Sequence, residues 1–155
     1  GGAGHAFAHA MLVARDNALI AVEMGSHTVN AGRVYFAAGS FEPSDFPGGQ
    51  VDLHLNMKRE VLEETGLDID RAPHREGYIA LSTDRGTVIA RRYHLDADAD
   101  EIAARIKAFV SAEREPEISG PVVIRSPDDL PESAMGHMAR LVAWHFDATN
   151  GDGSG

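Results

Sequence analysis

Three glutamates, Glu60, Glu63 and Glu64, stand at positions i, i+3 and i+4 of the run Arg59-Glu60-Val61-Leu62-Glu63-Glu64-Thr65-Gly66-Leu67. On a helix these spacings bring side chains to one face. Like charges so placed destabilise an isolated helix by roughly 0.2–0.5 kcal/mol per pair. Glu63 and Glu64 also fall in the last turn, where the helix dipole favours cations. Gly66 ends the helix by taking the left-handed position after it, with Leu67 as the apolar contact beyond. A segment that breaks two local rules at once points to a functional use. Three convergent carboxylates suit a hard divalent cation such as Mg²⁺, which takes oxygen ligands and keeps part of its water shell.

The elements around this run are expected to hold it in place. Asp52 is a suitable N-cap for a helix over residues 53–65. On that helix Leu55, Met57, Val61 and Leu62 share a broad arc opposite the glutamates, which predicts a buried apolar face and outward carboxylates. Residues 6–14 and 18–24 read as a strand pair joined across Arg15-Asp16-Asn17. Residues 33–37 form a further strand ended by Gly39, and residues 40–52, rich in Pro, Gly, Ser and Asp, form a loop. Residues 77–82 and 87–95 read as strands joined across Thr83-Asp84-Arg85-Gly86. A helix follows over 100–112, capped by Asp98 or Asp100, then a short strand over 121–125 and the turn Ser126-Pro127-Asp128-Asp129. The last amphipathic helix spans 133–146 and carries Met138, Leu141, Val142 and Trp144. Strands, helix, returning strands and further helices predict an α/β architecture, a mixed sheet covered by helices on both faces.

Composition sets the bounds. The 155 residues fit one domain, 1–155, with flexible ends at 1–5 and 148–155. Apolar content of 43% with 25% charged residues is that of a globular chain rather than a disordered one. A formal charge of −10 argues against coating a nucleic-acid polymer. It leaves room for a phosphorylated small molecule, because a bound cation can bridge acidic protein and anionic ligand. Cys is absent, which removes disulfides and thiolate metal sites. The histidines are scattered along the chain, and zinc is not the expected metal. No stretch has the length of a membrane span, so the cytoplasm is the expected compartment.

The run from Arg59 to Leu67 resembles the second half of the Nudix box, R-E-U-x-E-E-x-G-U with U apolar, and fills every specified position. The order of elements also resembles the Nudix α/β/α sandwich. The front half departs from the pattern. The family has Gly fourteen residues before the Arg and Glu eight before it, where this chain has Asp45 and Val51. Either Gly49 opens a shortened loop or Gly39 opens a lengthened one. Gly39 is preferred, because a strand then leads directly into the glycine turn and Glu42 meets an often acidic position.

The resemblance implies a hydrolase that uses Mg²⁺ or Mn²⁺ to cleave a pyrophosphate bond in a nucleoside diphosphate linked to another group. By the same resemblance, Glu63 and Glu64 are metal ligands, and Glu60 is a further ligand or the base that polarises the attacking water. Arg59 pairs with a box glutamate, and the carbonyl of Gly39 adds a ligand. One later acid, Glu113, Glu115 or Glu117, assists. The expected partner is a small-molecule diphosphate, with no membrane and no nucleic-acid polymer; the family also allows a homodimer. Ser82-Thr83-Asp84 occupies the region where some subgroups carry a Pro or Tyr substrate marker, so the substrate stays open. The alternative is a non-catalytic Nudix-fold domain that binds a nucleotide or a partner protein.

Overall fold

Nearly continuous apolar runs, such as those in residues 6–14 and 18–22, mark strands covered on both faces. The computed structural model describes residues 6–40, 52–74, 77–84, 86–134 and 136–152. The strands are β1 (Ala6–Val13), β2 (Leu19–Met24), β3 (Val34–Tyr35), β4 (Ala37–Ser40), β5 (Ile79–Thr83), β6 (Gly86–His94) and β7 (Ile118–Ile124). The helices are α1 (Leu53–Thr65), α2 (Ala99–Ala112) and α3 (Gly136–Asp152). Alternation along β1 sends Ala8, Ala10 and Leu12 into one core with Met57, Val61, Ile102 and Ile106 of α1 and α2. It sends Met11 and Val13 into a second core with Met138, Leu141 and Val142 of α3. The sheet is mixed and lies between helices, as the order of elements implied.

Strand pairing creates the feature that matters for the site. β6 runs parallel to β1 along residues 6–13 and fills one edge of it. β7 likewise fills one edge of β2 along residues 19–24. On their remaining edges β1 and β2 pair with each other only through Leu12↔Ile20 and Val13↔Leu19. Beyond those two pairs the strands part. β4 joins β1 through residues 7–10, and β3 joins β2 at Val22 and Glu23. The chain from 34 to 40 therefore fills a fork in the sheet, with Phe36 wholly buried at its crossing point.

Several expectations shift. Strand pairing continues through Gly39 to Ser40 rather than ending before it, because β1 supplies partners as far as Phe7↔Ser40. β7 starts at Ile118, ahead of Pro121; pairing only with β2 among the described residues, it tolerates the missing N–H of proline. Asp98 precedes α2 but makes no side-chain cap; Asp16 Oδ1 accepts from the Ala99 amide instead, at 3.2 Å. α3 starts at Gly136 and runs to Asp152, past Phe146. No helix breaker stands between Phe146 and Gly151, so the backbone ladder continues through residues expected as a tail. Glu42, Asp45, Gly49 and Val51, on which the front half of the motif depends, lie outside the described residues.

Candidate metal and active site

Local signals fix α1. The Asp52 carboxylate accepts from the Leu55 amide at 2.9 Å, and the chain leaves the helix through Gly66 at φ 77°. Thr65 Oγ1 donates to the Val61 carbonyl and accepts from the Leu67 amide, closing the last turn. The helix is rotated relative to the apolar-arc expectation. Its buried residues are Asn56, Met57, Glu60, Val61, Glu64 and Thr65, while Leu55 and Leu62 are exposed by 37% and 45%. The four apolar residues do not share one buried face. Met57 and Val61 enter the core, and the same turn of the helix carries Glu60 and Glu64 inward with them.

Two of the three glutamates thus converge, and a third acid joins them from a distant element. One oxygen each from Glu60, Glu64 and Glu117 lies within 4.8 Å of the others. Glu63 is exposed at the margin of this group. Glu113 and Glu115 are exposed and outside it. Glu117 owes its place to close backbone packing. Its carbonyl accepts from the Gly25 amide at 2.8 Å, and a Cβ on Gly25 would sit 3.1 Å from that oxygen. Just beyond, Glu23 pairs with Gly120 but Met24 with Ile118, a bulge in the β2–β7 ladder. Bulges of this kind re-aim side chains beside functional sites.

The electrostatics would suit a bound cation. Burial pushes the Glu64 carboxyl up to about 9, with the Glu60 and Glu117 charges adding to it and the Ala38 backbone hydrogen bond opposing it. Glu60 is pushed up to about 7, again chiefly by burial, against the Arg59 hydrogen bond that favours its charged form. Arg59 Nη2 lies 3.2 Å from Glu60 Oε1 with both side chains largely buried. Glu64 Oε1 is buried with no hydrogen-bond partner. Crowded carboxylates with an orphaned oxygen are costly unless something positive sits among them. The donor set fits a hard divalent ion, all oxygen and partly open to solvent through Glu117. Gly39 lies on β4 next to Ala38, whose amide supports Glu64.

A cavity of about 680 Å³ opens beside this cluster. Tyr35 and Ala38 belong to both: they line the cavity, the Ala38 amide meets Glu64, and the three glutamates help raise the Tyr35 hydroxyl, which burial already raises. Phe7, His9 and Val88 of the sheet and His137 of α3 form further walls, with Arg33 exposed at the margin. Sequence reasoning missed His9, Tyr35 and His137, because no motif links residues so far apart. Arg92 is buried against His145 and the Trp144 ring, and Phe146 is buried in the second core, so neither Arg92 nor Phe146 lines the cavity. Among the described residues no helix is long and apolar enough to cross a membrane.

No protein-family model and no curated protein matches the sequence. Solved structures do match. A Nudix hydrolase from Nitrosomonas europaea aligns at 16% identity and TM-score 0.57, covering 94% of this chain and 89% of that one. The C. elegans Ap4A hydrolase, solved as a binary complex, aligns at 12% identity and TM-score 0.66, covering 94% and 98%. The Nudix domain of Shewanella oneidensis NrtR, solved with ADP ribose, aligns at 13% identity and TM-score 0.57, covering 95% and 89%. At these identities the likeness is one of architecture, and it extends over nearly the whole length of the chain. The sandwich with its forked mixed sheet is the Nudix fold.

Proposed function

We propose that the protein is a divalent-metal-dependent hydrolase that cleaves the pyrophosphate bond of a nucleoside diphosphate linked to another group. The observation that carries this reading is the convergence of Glu60, Glu64 and Glu117, with an orphaned Glu64 oxygen, beside a cavity of small-molecule size. Mg²⁺ or Mn²⁺, when bound, neutralises phosphate charge and makes water a better nucleophile at neutral pH. Glu64 and Glu117 would hold the ion, and Glu63 and the Gly39 carbonyl would be further donors. Glu60 sits where a carboxyl pushed towards neutrality can take a proton from the attacking water. Arg59, through its contact with Glu60, fixes that carboxylate in one orientation. The cavity would hold the remainder of the substrate.

Product analysis tests the reading. With Mg²⁺ or Mn²⁺ and a panel of nucleoside diphosphate derivatives, the expected products are a nucleoside monophosphate and the phosphorylated second group, with no turnover in EDTA. Cleavage at any other bond, or turnover that persists in EDTA, overturns it. The divergent front half, Asp45 and Val51 where the motif has Gly and Glu, favours a second reading as a binding domain without chemistry. That reading expects ligand binding without products at saturating Mg²⁺.

A further inference from the structure

The cavity carries a second group of side chains that the carboxylate chemistry does not use. His9 of β1 and His137 in the first turn of α3 meet edge to face, with ring centroids 4.5 Å apart and planes at 69°. Tyr35 meets His9 in the same manner at 6.3 Å and 75°. All three rings line the cavity. His9 is 4% exposed, yet its Nδ1 and the Nε2 of His137 are each buried with no hydrogen-bond partner among the described residues. A buried polar group left unsatisfied costs roughly 1–3 kcal/mol, and an apolar ring of the same shape would avoid that cost. Two adjacent imidazoles in this state, on elements at opposite ends of the chain, are a feature for which packing gives no reason.

We infer that His9 and His137 determine specificity by hydrogen-bonding the polar edge of an uncharged planar heterocycle, of the nucleobase class, held in this cavity. The heterocycle is uncharged where it meets the pair, because buried His9 and half-buried His137 offer it no charged partner, and the cavity's charged side chains, Arg33, Asp84 and Arg140, line it at other positions. It is planar because the wall around the pair is built of rings, His9, His137, Tyr35 and Phe7, while polar and charged side chains, Ser82, Thr83, Asp84, Arg33 and Arg140, line the rest of the cavity. The cavity volume, about 680 Å³, lies within the range of small-molecule sites. Tyr35 and Ala38 border both regions, so a diphosphate attached to the heterocycle has a short path to the glutamates. That last connection rests on the hydrolase reading; recognition of the heterocycle does not.

The test is therefore a binding measurement without turnover. Calorimetric titrations in EDTA use AMP, GMP, CMP, UMP and the base-free ribose 5-phosphate as probes. The expected result is that at least one nucleotide binds about tenfold or more tightly than ribose 5-phosphate, a difference near 1.4 kcal/mol. His9→Phe and His137→Phe each remove most of that preference and leave ribose 5-phosphate binding unchanged. His137 is only half-buried, so His137→Phe, with its unfolding midpoint checked, decides the matter if His9→Phe does not fold. Ribose 5-phosphate binding as tightly as every nucleotide, or a preference that survives in folded His137→Phe, overturns the inference. Glu64→Gln keeps the nucleotide preference in the same titrations. A failure of the hydrolase reading, seen as no turnover with Mg²⁺, is thus distinguishable from a failure of this one.

Discussion

Glu64 concentrates the physical tension in the molecule: a buried carboxyl beside two others, with one oxygen unsatisfied. Its folded pKa, about 9, stands above the ordinary carboxylate value, so the protonated form favours folding. That contribution is complete below about 4.5 and is lost as pH rises through about 9. In chelator, Glu64→Gln, which mimics the protonated state, should leave the unfolding midpoint nearly unchanged at pH 5 and raise it at pH 9. Each kcal/mol corresponds to roughly 2–4 °C for a chain of this size. Calorimetric melts at the two pH values check it, and an equal effect at both would remove the electrostatic argument. Arg59 belongs to the same scale. Arg59→Lys keeps the charge but loses the planar fork that touches Glu60, and loss of such a supporting partner costs about 10–100-fold. The loss should appear in kcat rather than KM; steady-state kinetics separate the two.

At the scale of elements, α1 is both the best-signalled segment and the one whose orientation was least legible. Its limits follow from Asp52, whose side chain caps the first turn, and Gly66, whose positive φ ends the last. Those are local signals, and they could be read directly. Which face goes inward depends on the neighbours, β4 and the chain leading into β7, and the apolar spacing suggested the arc that includes Leu55 and Leu62. Glu117 was legible only as one of three acids, because its selection depends on the Gly25 contact and the bulge between β2 and β7. His9 and His137 could not be paired in advance at all, since α3 meets β1 only through the completed sheet. Gly66 gives the element-scale prediction. A Cβ there would run into the Phe109 ring of α2, and the left-handed conformation alone costs a non-glycine residue roughly 1–2 kcal/mol. Gly66→Ala should therefore destabilise by at least that amount in denaturant titrations, and a cost near zero would show that the junction of α1 and α2 yields easily.

At the scale of the whole molecule, the fork between β1 and β2 is what permits a site. It admits residues 34–40 into the sheet, and that segment presents Tyr35 and Ala38 to the glutamates on one side and to the cavity on the other. A chain of net charge −10 is poorly suited to hold a diphosphate by itself. Cations among the acids would reconcile the two, which is why metal dependence is central to the proposed function. The most direct test compares wild type and Glu64→Gln for turnover of nucleoside diphosphate derivatives, with Mg²⁺ or Mn²⁺ and the fold of both proteins verified by their melts. The account predicts cation-dependent turnover in wild type and a loss of about a hundredfold or more in the variant, in line with removal of a major transition-state contact. Equal turnover in the two proteins would contradict it.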